Sequence, residues 1–202
     1  MICVIDYGMG NLRSVSKAIE KVGGKVTVSS NPKDVQKAKK LILPGVGAFG
    51  DGSRELTRLK LFESLQGALK EGKPTFGICL GMQLLFEESE ESPGVKGLGI
   101  FPGKVQRFRN PRVKVPHMGW NEMILNVRKS PAFQGIGEKK YFYFVHSFYP
   151  VPREKSIIWA STKYGDEEFS SFVGKENIWA SQFHPEKSQL PGLQILKNFI
   201  TL

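Results

Sequence analysis

The sequence predicts an α/β fold: a mostly parallel central sheet flanked by helices, with additional antiparallel strands in the C-terminal half. Three observations carry this expectation. In the first half, short apolar runs rich in β-branched residues alternate with segments of helical periodicity. Those runs are continuously apolar, as strands covered on both faces are. In the second half the pattern changes to strand-like segments separated by turns, which is how antiparallel additions read.

The elements follow in order. "MICVID" is a short apolar run ended by glycines and reads as the first strand. "NLRSVSKAIEKVGG" then carries Leu12, Val15, Ile19 and Val22 at helical spacing, with Asn11 as N-cap and Gly23 or Gly24 as the stop. "KVTV" and "KLIL" are further strands, separated by "SNPKDVQKA", which has a turn signal and room for one short helix. After "PGVGAFGDG" comes a longer helical region, "SRELTRLKLFESLQGALKEG", then the strand "PTFGIC" and a helix over "LGMQLLFEE". The acidic "EESEESPG", Glu87 to Gly94, reads as a solvated loop. Six strand-like segments come next: "GIFPGKVQRF", "NEMIL", "KKYFYFVHSFY", "SIIWASTKYG", "EFSSFVG" and "NIWASQF". A terminal helix, "LPGLQILKNFI", closes the chain. With 202 residues and no repeat or low-complexity linker, a single domain over 1–202 is expected.

Composition narrows the function classes. Hydrophobic residues at 40% and charged residues at 24% exclude disorder and fibrous architectures. The longest apolar runs are strand-sized, and "MICVIDYG" lacks the basic segment and long apolar region of a signal peptide, so no membrane span and a cytoplasmic location are expected. Two cysteines, Cys3 and Cys79, cannot staple a fold, and with three histidines they are poor material for a metal site. The net charge of +10 suggests anionic company, and its densest run is "VQRFRNPRVK", Val105 to Lys114. No nucleic-acid motif accompanies it, so a solvated basic face or a protein docking surface is the better reading than a nucleic-acid site.

The motifs differ in weight. "DYGMGNLRS" offers Gly8 and Gly10 after the first strand, but position 13 is Arg where a dinucleotide loop has its third glycine, and no acid ends "KVTV" to hold a ribose. "TFGICLGMQ" is stronger. Gly77-Ile78-Cys79-Leu80-Gly81 places a nucleophile between two glycines at a strand-to-helix turn so sharp that only small residues fit two positions either side. The turn aims the Leu80 N–H at any oxyanion formed there, and the helix N-terminus favours a thiolate. A thiol nucleophile needs a proton carrier and something to orient it. "SQFHPEKS" supplies His184 and Glu186, two apart in a segment read as extended with Pro185 holding it so, which places both side chains on one face. "LILPGVGAFG" adds a turn in which Gly45 and Gly47 would let an amide of Val46 or Gly47 face the reaction centre, although an ordinary strand-to-helix turn explains the stretch as well.

Together the elbow "GICLGMQ", the pair "HPE" in Cys-then-His-then-Glu order and the loop "PGVGAFG" resemble the triad, or class I, glutamine amidotransferases. "DYGMGN", "CLGMQLLFEESEE", "PHMGWN", "YFVHSF" and "FHPEKS" extend the resemblance over nearly the whole chain. "PHMGWN" and "DYGMGN" argue against members serving pyridoxal phosphate or anthranilate synthesis and against a γ-glutamyl hydrolase. Retention of Cys79, His184 and Glu186 argues against an idle docking subunit. The resemblance implies hydrolysis of L-glutamine to glutamate and ammonia through a glutamyl thioester. The ammonia would pass to a separate cyclase subunit with a (β/α)8 barrel fold, held as a heterodimer. No metal or organic cofactor is implied. Gln83 and the backbone around His146, Ser147 and Phe148 would hold the glutamine, with Gly47 beneath it; Phe148 departs from the hydroxyl residue or Tyr that family members often carry near there. Asn11, His117, Met118, Trp120, Tyr143 and Lys187 match motifs expected near the partner face and the ammonia exit, with core packing an equal reading for Trp120.

Overall fold

The computed structural model describes residues 1–127, 129–137 and 140–202. It has the expected α/β architecture. The first half alternates β1 (Ile2–Ile5), α1 (Leu12–Lys21), β2 (Val26–Ser29), α2 (Pro32–Lys37), β3 (Lys40–Leu43), α3 (Phe49–Arg58), α4 (Leu61–Lys70), β4 (Thr75–Ile78) and α5 (Leu80–Leu84). The second half is built from β5 (Glu88–Ser89), β6 (Gly103–Arg107), β7 (His117–Leu125), β8 (Lys140–His146), β9 (Phe148–Pro152), β10 (Ile158–Tyr164), β11 (Glu167–Lys175) and β12 (Ile178–Ser181), and α6 (Gln189–Thr201) ends it.

The main sheet runs β2-β1-β3-β4-β12-β11-β10-β7-β8. Pairings from β2 through β12 are parallel, and those from β12 to β8 antiparallel. Strand alternation divides the core between the two faces of the sheet. Ile2, Val4, Ile42 and Phe76 pack with Val15 and Ile19 of α1 and with Ile195, Leu196 and Phe199 of α6. Cys3, Ile5, Leu41 and Leu43 pack with Val35, Leu56, Leu61 and Leu65 of α2, α3 and α4. Both faces of β1 are therefore dry, which is why its sequence is apolar without alternation. Asn11 caps α1, its Oδ1 accepting from Ser14 N at 3.1 Å.

Several elements differ from expectation. The long helical region is two helices, because Lys60 adopts a left-handed backbone (φ 58°) between α3 and α4, and α3 begins earlier, at Phe49. The helix over "LGMQLLFEE" stops at Leu84. "NIWASQF" is antiparallel to β11 but parallel to β4, so it belongs to both halves of the sheet. "KKYFYFVHSFY" breaks at Ser147: β8 stays in the main sheet while β9 joins β6 and β5 in a second, three-stranded sheet. Nor is "EESEESPG" simply solvated, since Glu88 and Ser89 pair with Lys104 and Val105 as β5.

Part of the basic run is paired within the fold. Glu90 meets Arg109 at 2.8 Å and Lys104 at 3.3 Å, Arg112 meets Asp166 at 3.4 Å, and Glu167 Oε1 accepts from the backbone N–H of Arg109 and Asn110. Burial would raise the Glu90 carboxyl, but the Arg107 amide, Lys104 and Arg109 outweigh it and hold it below the usual carboxylate range.

Candidate active site

Cys79 occupies the junction between β4 and α5 with φ 55° and ψ −107°, a conformation that costs energy for a side-chain-bearing residue and must be imposed by its surroundings. Its N–H donates to Ser181 O at 2.8 Å, tying the elbow to β12. Close approach explains both flanking glycines. A β-carbon at Gly81 would lie 1.7 Å from the Leu43 carbonyl oxygen of β3, and one at Gly77 would lie 2.9 Å from the Gly81 oxygen.

The parallel pairing of β12 with β4, in which Ser181 lies opposite Ile78, carries His184 to the elbow from the far end of the chain. The edge strand β8 holds it there: His184 N donates to Tyr143 O at 2.9 Å, and Ser188 Oγ donates to His184 O while accepting from Tyr143 N. His184 Nδ1 bonds Glu186 Oε1 at 2.8 Å, with both side chains at most 3% exposed. Pro185–Lys187 is a 3-10 turn and not the extended segment expected, so Glu186 reaches the imidazole by folding back. Burial would lower the imidazole pKa, but the neighbouring Cys79 sulfur and the Glu186 carboxylate outweigh it and raise it to about 10. His184 Nε2 and Glu186 Oε2 make no hydrogen bond; Cys79 Sγ lies 3.9 Å from Val145 O and accepts from Gln182 Nε2 at 3.6 Å.

Cys79 opens on a cavity of 260 Å³ lined also by Val46, Gly47, Leu80, Gln83, His146, Ser147 and Phe148, which brings every expected oxyanion and substrate position to one place. Glu91 lines it too, out of the acidic stretch expected in solvent. Its Oε2 accepts from Phe49 N at 2.7 Å at the start of α3, an anchorage that holds a carboxylate at the cavity wall. No sequence motif marks Gln182. Its side chain accepts from Gln83 Nε2 at 3.1 Å and donates to the Cys79 sulfur, bracing pocket and nucleophile together. The Leu80 N–H is already engaged, donating to Gly45 O at 3.3 Å.

The three histidines are not alike. His146 Nδ1 bonds Phe148 O at 2.9 Å, which makes that nitrogen the donor and Nε2 the acceptor; Nε2 meets His117 Nδ1 at 3.0 Å, and His117 Nε2 meets Asn121 Nδ2 at 3.2 Å. Burial lowers His146 to about 3 and His117 to about 4, so both are neutral near pH 7. The imidazole that carries charge here is His184.

Of the residues expected at a partner face, Met118 (63%) and Trp120 (47%) are exposed, which removes Trp120 from the core. Trp120 lies opposite Tyr143 on β8 with ring centroids 6.1 Å apart, and Lys187 Nζ sits 5.8 Å from the Tyr143 ring. Asn11 is exposed beside α1, whereas His117 is buried. Cys3 is a buried free thiol, pushed up to about 11 by burial, and stands apart from the cavity lining. Among the described residues no group of His, Cys, Asp or Glu is arranged to hold a metal ion, and no helix is long and apolar enough to cross a membrane.

Residues 3–202 match the family model described as glutamine amidotransferase class-I. Among curated proteins, the imidazole glycerol phosphate synthase subunit HisH of Syntrophotalea carbinolica is 50% identical over 98% of this chain and 98% of its own length. The HisH subunit of Methanocaldococcus jannaschii is 48% identical over the whole of both chains. Among solved structures, PurLQS from Thermotoga maritima superimposes with a TM-score of 0.79 at 20% identity, covering 99% of this chain and 97% of that one. At that identity it speaks for the fold alone.

Proposed function

The chain belongs to the class I glutamine amidotransferases, in the group of the HisH subunits of imidazole glycerol phosphate synthase, and from that premise we propose that it hydrolyses L-glutamine through Cys79, His184 and Glu186. One observation supports this most: an elbow cysteine facing a cavity, with a charged, carboxylate-bound imidazole delivered beside it by the β4–β12 pairing.

In this reading the Cys79 thiolate attacks the side-chain amide carbon. His184 protonates the departing ammonia, leaving a glutamyl thioester, and then activates the water that releases glutamate, while Glu186 holds the imidazole in both steps. Glu91 suits the substrate ammonium, and Gln83 with the backbone at 146–148 encloses the rest. Each step uses side chains and amides of this chain and water. Thiolate formation, worth about 2 kcal/mol, cannot carry a rate enhancement that commonly needs at least about 8 kcal/mol. Oxyanion donors at about 2.7–4 kcal/mol each must supply much of the remainder. The Leu80 N–H can do so only after Gly45 O releases it, with an amide of Val46 or Gly47 as the second donor.

The ammonia would serve the cyclase subunit of imidazole glycerol phosphate synthase, a (β/α)8 barrel in a cytoplasmic heterodimer, in the making of imidazole glycerol phosphate and aminoimidazole carboxamide ribotide for histidine biosynthesis. The exposed Met118, Trp120 and Lys187, with Tyr143 and Asn11, suit that docking face, and 1–202 would act as a single domain. The test is glutamate release by this chain with the cyclase and its nucleotide. Cys79→Ala should abolish glutamine-dependent product while the complex still uses added ammonia; full glutamine-dependent activity in that variant would sink the nucleophile assignment.

A further inference from the structure

The loop "DYGMGN", which fails as a dinucleotide site, packs against the "PGVG" turn. A β-carbon at Gly47 would lie 2.6 Å from Met9 Cε, one at Gly10 would lie 3.4 Å from Gly45 Cα, and one at Gly45 would lie 2.1 Å from the Tyr7 hydroxyl. Tyr7 therefore touches the backbone at Gly45. It is fully buried, yet its hydroxyl makes no hydrogen bond. Buried hydroxyls are rarely left unpaired, because the desolvation cost is then unopposed. Burial, aided by the nearby Cys79, pushes the phenol well above its ordinary value, so it remains a proton donor at any working pH.

Gly45 O has the complementary difficulty. At rest it occupies the Leu80 N–H that an oxyanion needs. Turning the Gly45–Val46 peptide frees that N–H and swings the Val46 N–H of the same unit toward the cavity, but a displaced buried carbonyl must find a new donor. On the reading that Cys79 is an acyl-transfer nucleophile, we propose that Tyr7 is a positioning residue of the oxyanion turn, whose hydroxyl receives the Gly45 carbonyl when it leaves the Leu80 N–H. The turn then has two arrangements: one satisfies the carbonyl at the expense of the phenol and the oxyanion site, and the other satisfies all three. Gly45 keeps its place because a β-carbon there would meet both the Tyr7 hydroxyl and Leu80 Cβ, the latter at 2.9 Å.

Tyr7→Phe in the complex with the cyclase and saturating nucleotide tests this. The kcat for glutamate release should fall about 3- to 10-fold, the worth of one neutral hydrogen bond, with KM for glutamine unchanged. Alkylation of Cys79 by iodoacetamide, which forms no oxyanion, should keep its rate. The thermal midpoint of the isolated chain should not drop, since the hydroxyl makes no bond at rest. An unchanged kcat overturns the proposal; so does a lowered midpoint, or alkylation slowed in step with kcat, either of which makes Tyr7 a packing residue only. The parallel Cys79→Ala measurement separates the two levels: a dead Cys79→Ala beside a fully active Tyr7→Phe leaves the triad standing and removes this inference alone.

Discussion

Gly81→Ala sets two effects of opposite sign against each other at one atom. Gly81 lies in α5, where alanine is favoured over glycine by about 1 kcal/mol, so local propensity predicts a stabilised protein. The tertiary contact predicts the reverse. The new β-carbon would stand 1.7 Å from Leu43 O, and the two must part by about 1.5 Å to approach ordinary van der Waals contact. The obstructing atom is backbone of the buried strand β3 and has no rotamer to relieve it, so the helix must move. Overpacking of this kind costs about 1–3 kcal/mol, and a contact this short belongs at the upper end, outweighing propensity. For a chain of this size about 3 kcal/mol is a fall of about 6–12 °C in thermal midpoint. Because α5 begins one residue after Cys79, the displacement also carries Leu80 and the nucleophile, and about 1 Å of misplacement is worth about 100-fold in rate. Gly77→Ala is the internal control. Its β-carbon would lie 2.9 Å from Gly81 O, a conflict relieved by a few tenths of an ångström, so its losses should be several-fold smaller. Calorimetry and glutaminase assays of both variants with the partner present give the comparison. A Gly81→Ala protein as stable and active as the parent would refute the steric account of the elbow.

Two further predictions concern charge. The His184 pKa, raised to about 10, should keep kcat/KM from falling until the alkaline limb near that pH, where the proton for the leaving ammonia is lost. Since the folded value lies above the ordinary one, the same shift stabilises the fold below about 6.5, a contribution that fades as pH rises through about 10. Glu186→Gln removes one cause of the shift, so the alkaline limb should move to lower pH, and kcat should drop by about 10²- to 10⁴-fold as the imidazole loses its orientation; a pH–rate profile with an unmoved limb would count against the assignment. Glu91→Gln should raise KM for glutamine about 10- to 100-fold, the value of one charge-assisted hydrogen bond. It should leave the thermal midpoint within a few degrees, because the amide oxygen can still accept from Phe49 N; an unaltered KM in a titration would remove Glu91 from the substrate.

What was legible before folding is what depends on near neighbours in the chain. The elbow could be read because a strand, a sharp turn and a helix are local, and the steric demand at that turn shows in the glycines on either side of Cys79. Glu91 could not be read, since an acid in an acid-rich run is solvated by default and only its contact with the first turn of α3 places it at the cavity. Lys60 gave no sign of its left-handed backbone, because the apolar spacing of the helical region runs through it uninterrupted. The basic run reads from the sequence as a solvated basic face or a docking surface, and its contacts with Glu90, Asp166 and Glu167 are invisible there because those acids lie elsewhere in the chain.

By itself the sequence determined the fold class and marked Cys79, His184 and Glu186 as candidates, because periodicity, the steric signature of an elbow and a short His-Pro-Glu spacing are properties of contiguous residues. Tertiary structure alone decided that Cys79 and His184 meet, through the β4–β12 pairing, and that Leu80 rests engaged with Gly45 while the Tyr7 hydroxyl lacks a partner. Those are relations between segments far apart in the chain. Hydrogen-bond satisfaction across such distances is settled only when packing brings the groups together.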